Sequence, residues 1–158
     1  MNIVYLVNKK NVKFGTAIHQ TKGILDYVHT GVWGPKNVSW GGKRWFVTFI
    51  DDYSRRVWMY CMRNKNEVLQ IFLEWKKMVE NQTDRKIKRL RSDNGGEYTY
   101  GPFLKVCEDE GIVRHFTVPG KPQQNGVAET MNQMLIEKVR CTLFQAGLSK
   151  TFWAEALN

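Results

Sequence analysis

Two acidic side chains stand in settings that could carry chemistry. Asp93 lies in Leu90-Arg91-Ser92-Asp93-Asn94-Gly95-Gly96-Glu97, and Glu129 closes Pro122-Gln123-Gln124-Asn125-Gly126-Val127-Ala128-Glu129, with 35 residues between the two acids. A carboxylate that ends a strand and another that begins a helix can converge at a sheet edge. Hard oxygen donors of that kind suit Mg²⁺ or Mn²⁺. Each acid alone has a plainer reading. Asp-Asn-Gly-Gly is ordinary turn chemistry, and a glutamate in the first turn of a helix complements its dipole. The polar stretch Gln123, Gln124, Asn125 before Glu129 is suited to touching a nucleic-acid strand beside such a site.

The elements that must position these residues follow from the hydrophobic period. Leu25-Asp26-Tyr27-Val28-His29-Thr30 has the β-branched and aromatic content of a strand, and Gly34-Pro35 stops it. Arg44 to Ile50 is a second strand; Asp51-Asp52-Tyr53-Ser54 turns the chain into a third, Val57 to Met62. Short turns between the three predict an antiparallel meander. Val68, Ile71, Phe72, Trp75, Met78 and Val79 then fall on one face of a helix from about Lys65 to Asn81, with Lys76 and Lys77 off that face. Lys86 to Asp93 reads as a strand, and Phe103 to Glu110 as a short helix stopped by Gly111. Val113 to Val118 is a fifth strand. A longer helix runs from Val127 to about Gln145, with Met131, Leu135, Val139 and Leu143 on one side and Gly147 as its stop. The order β-β-β-α-β-α-β-α predicts an α/β fold, a mixed five-stranded sheet flanked by helices.

At 158 residues the chain is one domain by size. Lys and Arg outnumber Asp and Glu by 24 to 15, a formal charge of +9. That balance favours a polyanionic partner, nucleic acid first and an anionic membrane surface second. Lys86, Lys88, Arg89 and Arg91 near Asp93, Lys121 beside the polar stretch, and Lys138 and Arg140 on the last helix could line a nucleic-acid groove; the alternative is a solvated face. Cys61, Cys107 and Cys141 lack metal-ligand spacing and read as reduced thiols of an intracellular protein, half-buried in the core. No histidine has a partner at ligand spacing. Trp45, Trp58, Trp75 and Phe116 sit in core-periodic positions. No run approaches the ~18 apolar residues of a membrane span, the start is no secretory signal, and Lys9-Lys10 is too weak a cluster to fix a nuclear address. Nothing asks for a membrane or a small-molecule cofactor.

Phe49-Ile50-Asp51-Asp52-Tyr53-Ser54-Arg55, Arg91 to Glu97 and Pro122 to Glu129, in that order and spacing, resemble the catalytic core of copia-type (pseudoviral) LTR retrotransposon integrases, in the retroviral integrase superfamily. Phe152-Trp153-Ala154-Glu155-Ala156 resembles the family's next landmark, and the resemblance covers residues 12–158. It implies a ribonuclease-H-like fold and a divalent-metal-dependent polynucleotidyl transfer in DNA integration, with two Mg²⁺ or Mn²⁺ ions roughly 3.5–4 Å apart. Asp93 and Glu129 would be catalytic metal ligands. Lys121, Gln123, Gln124, Asn125, Lys138 and Arg140 would contact nucleic acid.

The chain departs from the family pattern in three places. Gly31 stands after His29-Thr30 where the first metal-bridging Asp is expected. Asp26 has the wrong strand parity to replace it, and Asp51 and Asp52 are placed to cap a turn. Thr130 takes the place of a basic residue after the helix glutamate. No cysteine precedes Cys61, so residues 1–23 read as an arm left after a lost zinc module and 24–158 as the core-like domain of a truncated copy. The expectation is a DNA-binding core, nuclear if anywhere, with impaired catalysis. Two alternatives stand beside it: an active transferase with a substitute ligand, and a non-catalytic interaction module that forms a homodimer.

Overall fold

A computed structural model describes residues 3–6, 21–118 and 125–157. Its sheet contains β1 (Ile3–Leu6), β2 (Val28–Trp33), β3 (Trp45–Asp51), β4 (Arg56–Met62), β5 (Arg89–Ser92) and β6 (Val113–Phe116). The helices are α1 (Val68–Thr83), α2 (Gly96–Thr99), α3 (Gly101–Asp109), α4 (Gly126–Gln145) and α5 (Trp153–Leu157). Across the sheet the order is β1-β4-β3-β2-β5-β6. The expected meander is there, since β2 pairs antiparallel with β3 and β3 with β4. β5 joins β2 in parallel, and β6 joins β5 in parallel. The five expected strands and their mixed sheet are present, and Ile3–Leu6 adds a sixth strand on the outer edge of β4.

Side-chain alternation along the strands builds a core on each face. In β3, Val47 and Phe49 go to the layer under α1 and α3, while Phe46 and Ile50 go to the layer under α4 and α5. On the first face Trp75 of α1 stacks on Phe49 with ring centroids 4.3 Å apart, a contact worth about 0.5–1.5 kcal/mol beyond its buried area. On the second face Met131, Leu135, Val139 and Leu143 are all buried, as their spacing predicts.

Several boundaries differ from the sequence reading, each for a local reason. β2 begins at Val28 because Leu25 takes a left-handed φ of 64° and its N–H donates to Asp51 Oδ1 at 2.8 Å. Ahead of α3, Gly95 and Gly96 do more than turn: the chain makes the extra short helix α2, and Pro102 then opens α3. Gly111 and Gly147 adopt φ of 69° and 65°, the conformation that ends a helix. Lys76, expected off the apolar face, is nonetheless buried, because its Nζ donates to Glu80 and Glu110 at 3.0 Å each. Cys61 is half-buried and Cys107 buried, but Cys141 is exposed.

Candidate active site

Three elements bring the chemistry-bearing positions together. β2 carries Gly31, Asp93 follows the last residue of β5, Asn125 immediately precedes α4, and the first turns of α4 carry Glu129 and Asn132. All line one open cavity of about 510 Å³, together with Trp33, Gln133 and Arg140. The parallel pairing of β2 with β5 places the end of β5 beside Gly31. Asp93 and Glu129 thus converge as their settings suggested.

Asp93 is held by its own turn: its Oδ1 accepts the Gly95 N–H at 2.9 Å. Neighbouring Ser92 is fixed by Arg114, whose Nη2 donates to the serine hydroxyl at 2.7 Å. Behind β2, Tyr98 and Thr30 join hydroxyls at 2.8 Å, so α2 anchors the strand one residue before Gly31. Burial pushes the Tyr98 phenol far above its usual range, which keeps it neutral there. The Glu129 carboxyl is also raised above the usual glutamate range, first by desolvation and then by the negative charge of Asp93. Two like charges face one space, and no cationic side chain pairs with either among the described residues.

Gly31 offers this space only backbone. A Cβ there would stand 3.1 Å from Ala128 Cβ and 3.2 Å from Asn132 Nδ2, so α4 lies close against the strand. Asp26, Asp51 and Asp52 do not line the cavity. Asp26 pairs with Arg85 at 3.1 Å and Lys88 at 2.6 Å. Asp51 accepts the N–H groups of Leu25 and Ser54, and Asp52 binds His29 Nε2 at 3.0 Å. In that last pair burial drives the His29 imidazole below its usual range despite the pull of Asp52. Burial opposes ionisation of Asp52, but hydrogen bonds from His29 and Thr21 hold its carboxyl below the usual range. Glu137 does line the cavity, yet it lies eight residues beyond Glu129, roughly 12 Å along the helix.

The donor set therefore matches one hard cation better than two. Among the described residues no three acidic, histidine or cysteine side chains cluster for a metal. Two carboxylates remain, and Asn125 lines the same cavity with its buried Oδ1 lacking a hydrogen-bond partner among the described residues. Gly31 adds no carboxylate to the cavity.

Of the residues expected to contact nucleic acid, Arg140 lines the cavity and Lys138 is exposed on the same helix. Asn125 is buried at the start of that helix. Lys121, Gln123 and Gln124 lie outside the described residues. The basic cluster before Asp93 is largely engaged elsewhere: Lys86 pairs with Glu80, Lys88 with Asp26, and Arg91 Nε donates to Tyr27. Sequence reading missed Asn132, Lys36 and Lys150. The two lysines border a neighbouring cavity of about 620 Å³, which shares Trp33, Ile136 and Arg140 with the first. Only folding brings the two lysines to Arg140, so no local pattern marks them.

Comparison with known proteins agrees with this arrangement. A family profile described as the integrase core domain matches residues 25–122. The chain is 50% identical over 148 residues to the retrovirus-related Pol polyprotein from transposon TNT 1-94 of Nicotiana tabacum, covering 93% of the chain and 11% of the relative. It is 30% identical over 152 residues to the polyprotein from transposon RE1 of Arabidopsis thaliana, covering 96% of the chain and 10% of the relative. The chain thus spans about a tenth of the length of the curated relatives it matches. Among solved structures it resembles a chain of the simian T-cell lymphotropic virus intasome in complex with PP2A regulatory subunit B56 gamma. That match has a TM-score of 0.65 at 15% identity over 84% of this chain and 47% of the other, and it supports the ribonuclease-H-like fold alone.

Proposed function

The chain belongs to the integrase core domain family, and from that premise we propose that it binds DNA along the Asp93–Glu129 cavity while its own strand-transfer chemistry is impaired. One observation carries this reading: Gly31 lies in the same cavity as Asp93 and Glu129 and brings no side-chain oxygen to it. Divalent ions, when bound at such a site, neutralise charge developing on the attacking and leaving oxygens of a phosphodiester. Here Asp93 and Glu129 can still hold positive charge. The residue that would tie two ions together is missing.

The binding half of the proposal draws on the cations around the two adjoining cavities. Arg140 stands between them, with Lys36 and Lys150 on the far side, above the apolar side chains Trp33, Ile136 and Trp153. A strand leaving the acid pair would meet these cations at its phosphates and the apolar floor at its sugars and bases. Such contacts are insensitive to sequence and weaken steeply with salt. Replacing Arg140 by Ala should weaken DNA binding uniformly and reduce the salt slope by about 1.

Strand transfer and nicking on labelled duplex DNA test the catalytic half, with the unmodified chain beside Gly31→Asp, first in Mg²⁺ and then in Mn²⁺. The reading expects cutting by the reversion alone. Cutting by the unmodified chain that Asp93→Asn silences would overturn it.

A further inference from the structure

The loop between β2 and β3 holds a tryptophan out to solvent. Trp40 is 78% exposed, yet its backbone is fixed. Its N–H donates to the Thr151 carbonyl at 2.7 Å, and the N–H of Gly41 donates to Glu155 Oε1 at 3.0 Å. Ser39 and Lys43 close the turn through two bonds of 2.8 Å, and Gly42 adopts a φ of 79°. The indole lies against Phe152, with ring centroids 6.0 Å apart and planes 16° from parallel. A scattered surface hydrophobe needs no explanation. A large aromatic ring on an anchored loop is different, because much of its ordering cost is met before any partner arrives.

The charge around this ring is one-sided. Residues 36–44 and 150–155 carry Lys36, Lys43, Arg44 and Lys150 against one acid, Glu155, whose Oε1 is taken by the Gly41 N–H. Arg63 adds a fifth cation, its Nε 3.8 Å from a Cβ position on Gly42. None of the five joins a salt bridge among the described residues. The core of a protein–protein interface is depleted of charge. An exposed ring among cations matches instead a single nucleic-acid strand, which stacks its bases on aromatic side chains and lays its phosphates on Lys and Arg. A duplex cannot use the ring this way, since its base faces already stack on one another. Lys36 and Lys150 also border the cavity next to that of Asp93 and Glu129, so the ring lies beyond the far side of the same strand path. We propose that Trp40, backed by Phe152, stacks on an unpaired base of a DNA strand while Lys43, Arg44 and Arg63 meet the flanking phosphates. The inference rests on the reading that the chain binds DNA, and adds that the DNA it takes has single-stranded nucleotides beyond Arg140.

Fluorescence anisotropy of the whole chain with labelled oligothymidylate, an abasic strand of equal length and a blunt duplex tests it. The abasic strand keeps the phosphates and lacks the bases. Oligothymidylate should bind more tightly than the abasic strand. Trp40→Ala should weaken oligothymidylate binding about tenfold and change abasic and duplex binding by less than about twofold, with an unchanged circular dichroism spectrum. Trp40→Phe should keep most of the affinity, because a phenyl ring also stacks. Arg63→Ala should weaken both single strands alike and lower the salt slope by about 1. Equal affinity of the unmodified chain for oligothymidylate and the abasic strand, equal weakening of the two by Trp40→Ala, or a Trp40-dependent dimer with unchanged oligonucleotide affinity would each overturn the proposal. Any of these beside duplex binding that depends on Arg140 removes this inference alone; absence of all DNA binding removes the strand-binding reading with it.

Discussion

Thr48 of β3 and Asn132 of α4 are joined across the layer between sheet and helix: the threonine hydroxyl donates to Asn132 Oδ1 at 2.7 Å, and both residues are buried. This bond sets the Asn132 amide nitrogen 3.2 Å from a Cβ position on Gly31. The bond ties α4 to the sheet one turn beyond Glu129, beside the apolar packing of Ala128, Met131 and Leu135.

Breaking that link should cost stability directly. Asn132→Ala removes the acceptor of a buried hydroxyl, leaving only the Gly31 carbonyl at 3.4 Å, and should lower unfolding free energy by about 1–3 kcal/mol. Thr48→Val leaves a buried amide oxygen unpaired and should cost a similar amount. The double variant should lose less than the sum, since both single changes remove the same bond. Urea unfolding of the four proteins measures this; strict additivity would mean the bond carries no weight.

Placing an acid at Gly31 should destabilise the metal-free fold. The new Cβ meets Ala128 Cβ at 3.1 Å and the Asn132 amide at 3.2 Å, and a third carboxylate joins two that already repel. Crowding of this size costs about 1–3 kcal/mol, a fall of roughly 2–10 °C in melting temperature for a domain this size. Saturating Mg²⁺ should return more of that loss in Gly31→Asp than it adds to the unmodified chain. Equal melting of the two proteins in chelator would refute the crowding argument.

The raised Glu129 carboxyl has a signed consequence. A carboxyl that takes up its proton more readily in the fold than in the unfolded chain disfavours folding once both states are ionised, and the penalty fades as pH falls toward the ordinary glutamate value of 4.5. Glu129→Gln should therefore melt higher than the unmodified chain at pH 7, with the difference closing as pH drops through that range. Asp93→Asn should give part of the same gain by removing the second charge. Thermal melts from pH 7 to 4 in metal-free buffer check both.

His29 titrates in the opposite sense. Burial holds its imidazole below the ordinary value of 6.5, even against Asp52. The unfolded chain then binds the proton first, so stability present above that pH is lost as pH falls below it. Urea midpoints should decline from pH 7.5 to 5, measured in the Glu129→Gln background so that the opposing gain from Glu129 is removed. His29→Gln should flatten that decline; a decline of the same slope in the variant would locate it elsewhere.

Much of the fold was legible because it is written in local period. The buried face of α4 shows as Met131, Leu135, Val139 and Leu143, and the β3 alternation puts Val47 and Phe49 on one side. The convergence of Asp93 and Glu129 was legible through motif spacing. What stayed hidden depends on partners far away in the chain. β1 pairs by backbone to a free edge, which leaves no side-chain signature. The basic residues before Asp93 look available until Glu80 and Asp26 are found beside them. The idle oxygen of Asn125 is visible only as a hydrogen bond that is not made.

Neither hydrophobic layer includes Asp93, Glu129 or Gly31. Substitutions at such positions can change the chemistry of the cavity while leaving intact the buried apolar surface that holds the chain folded, so chaperones and proteases would find nothing to remove.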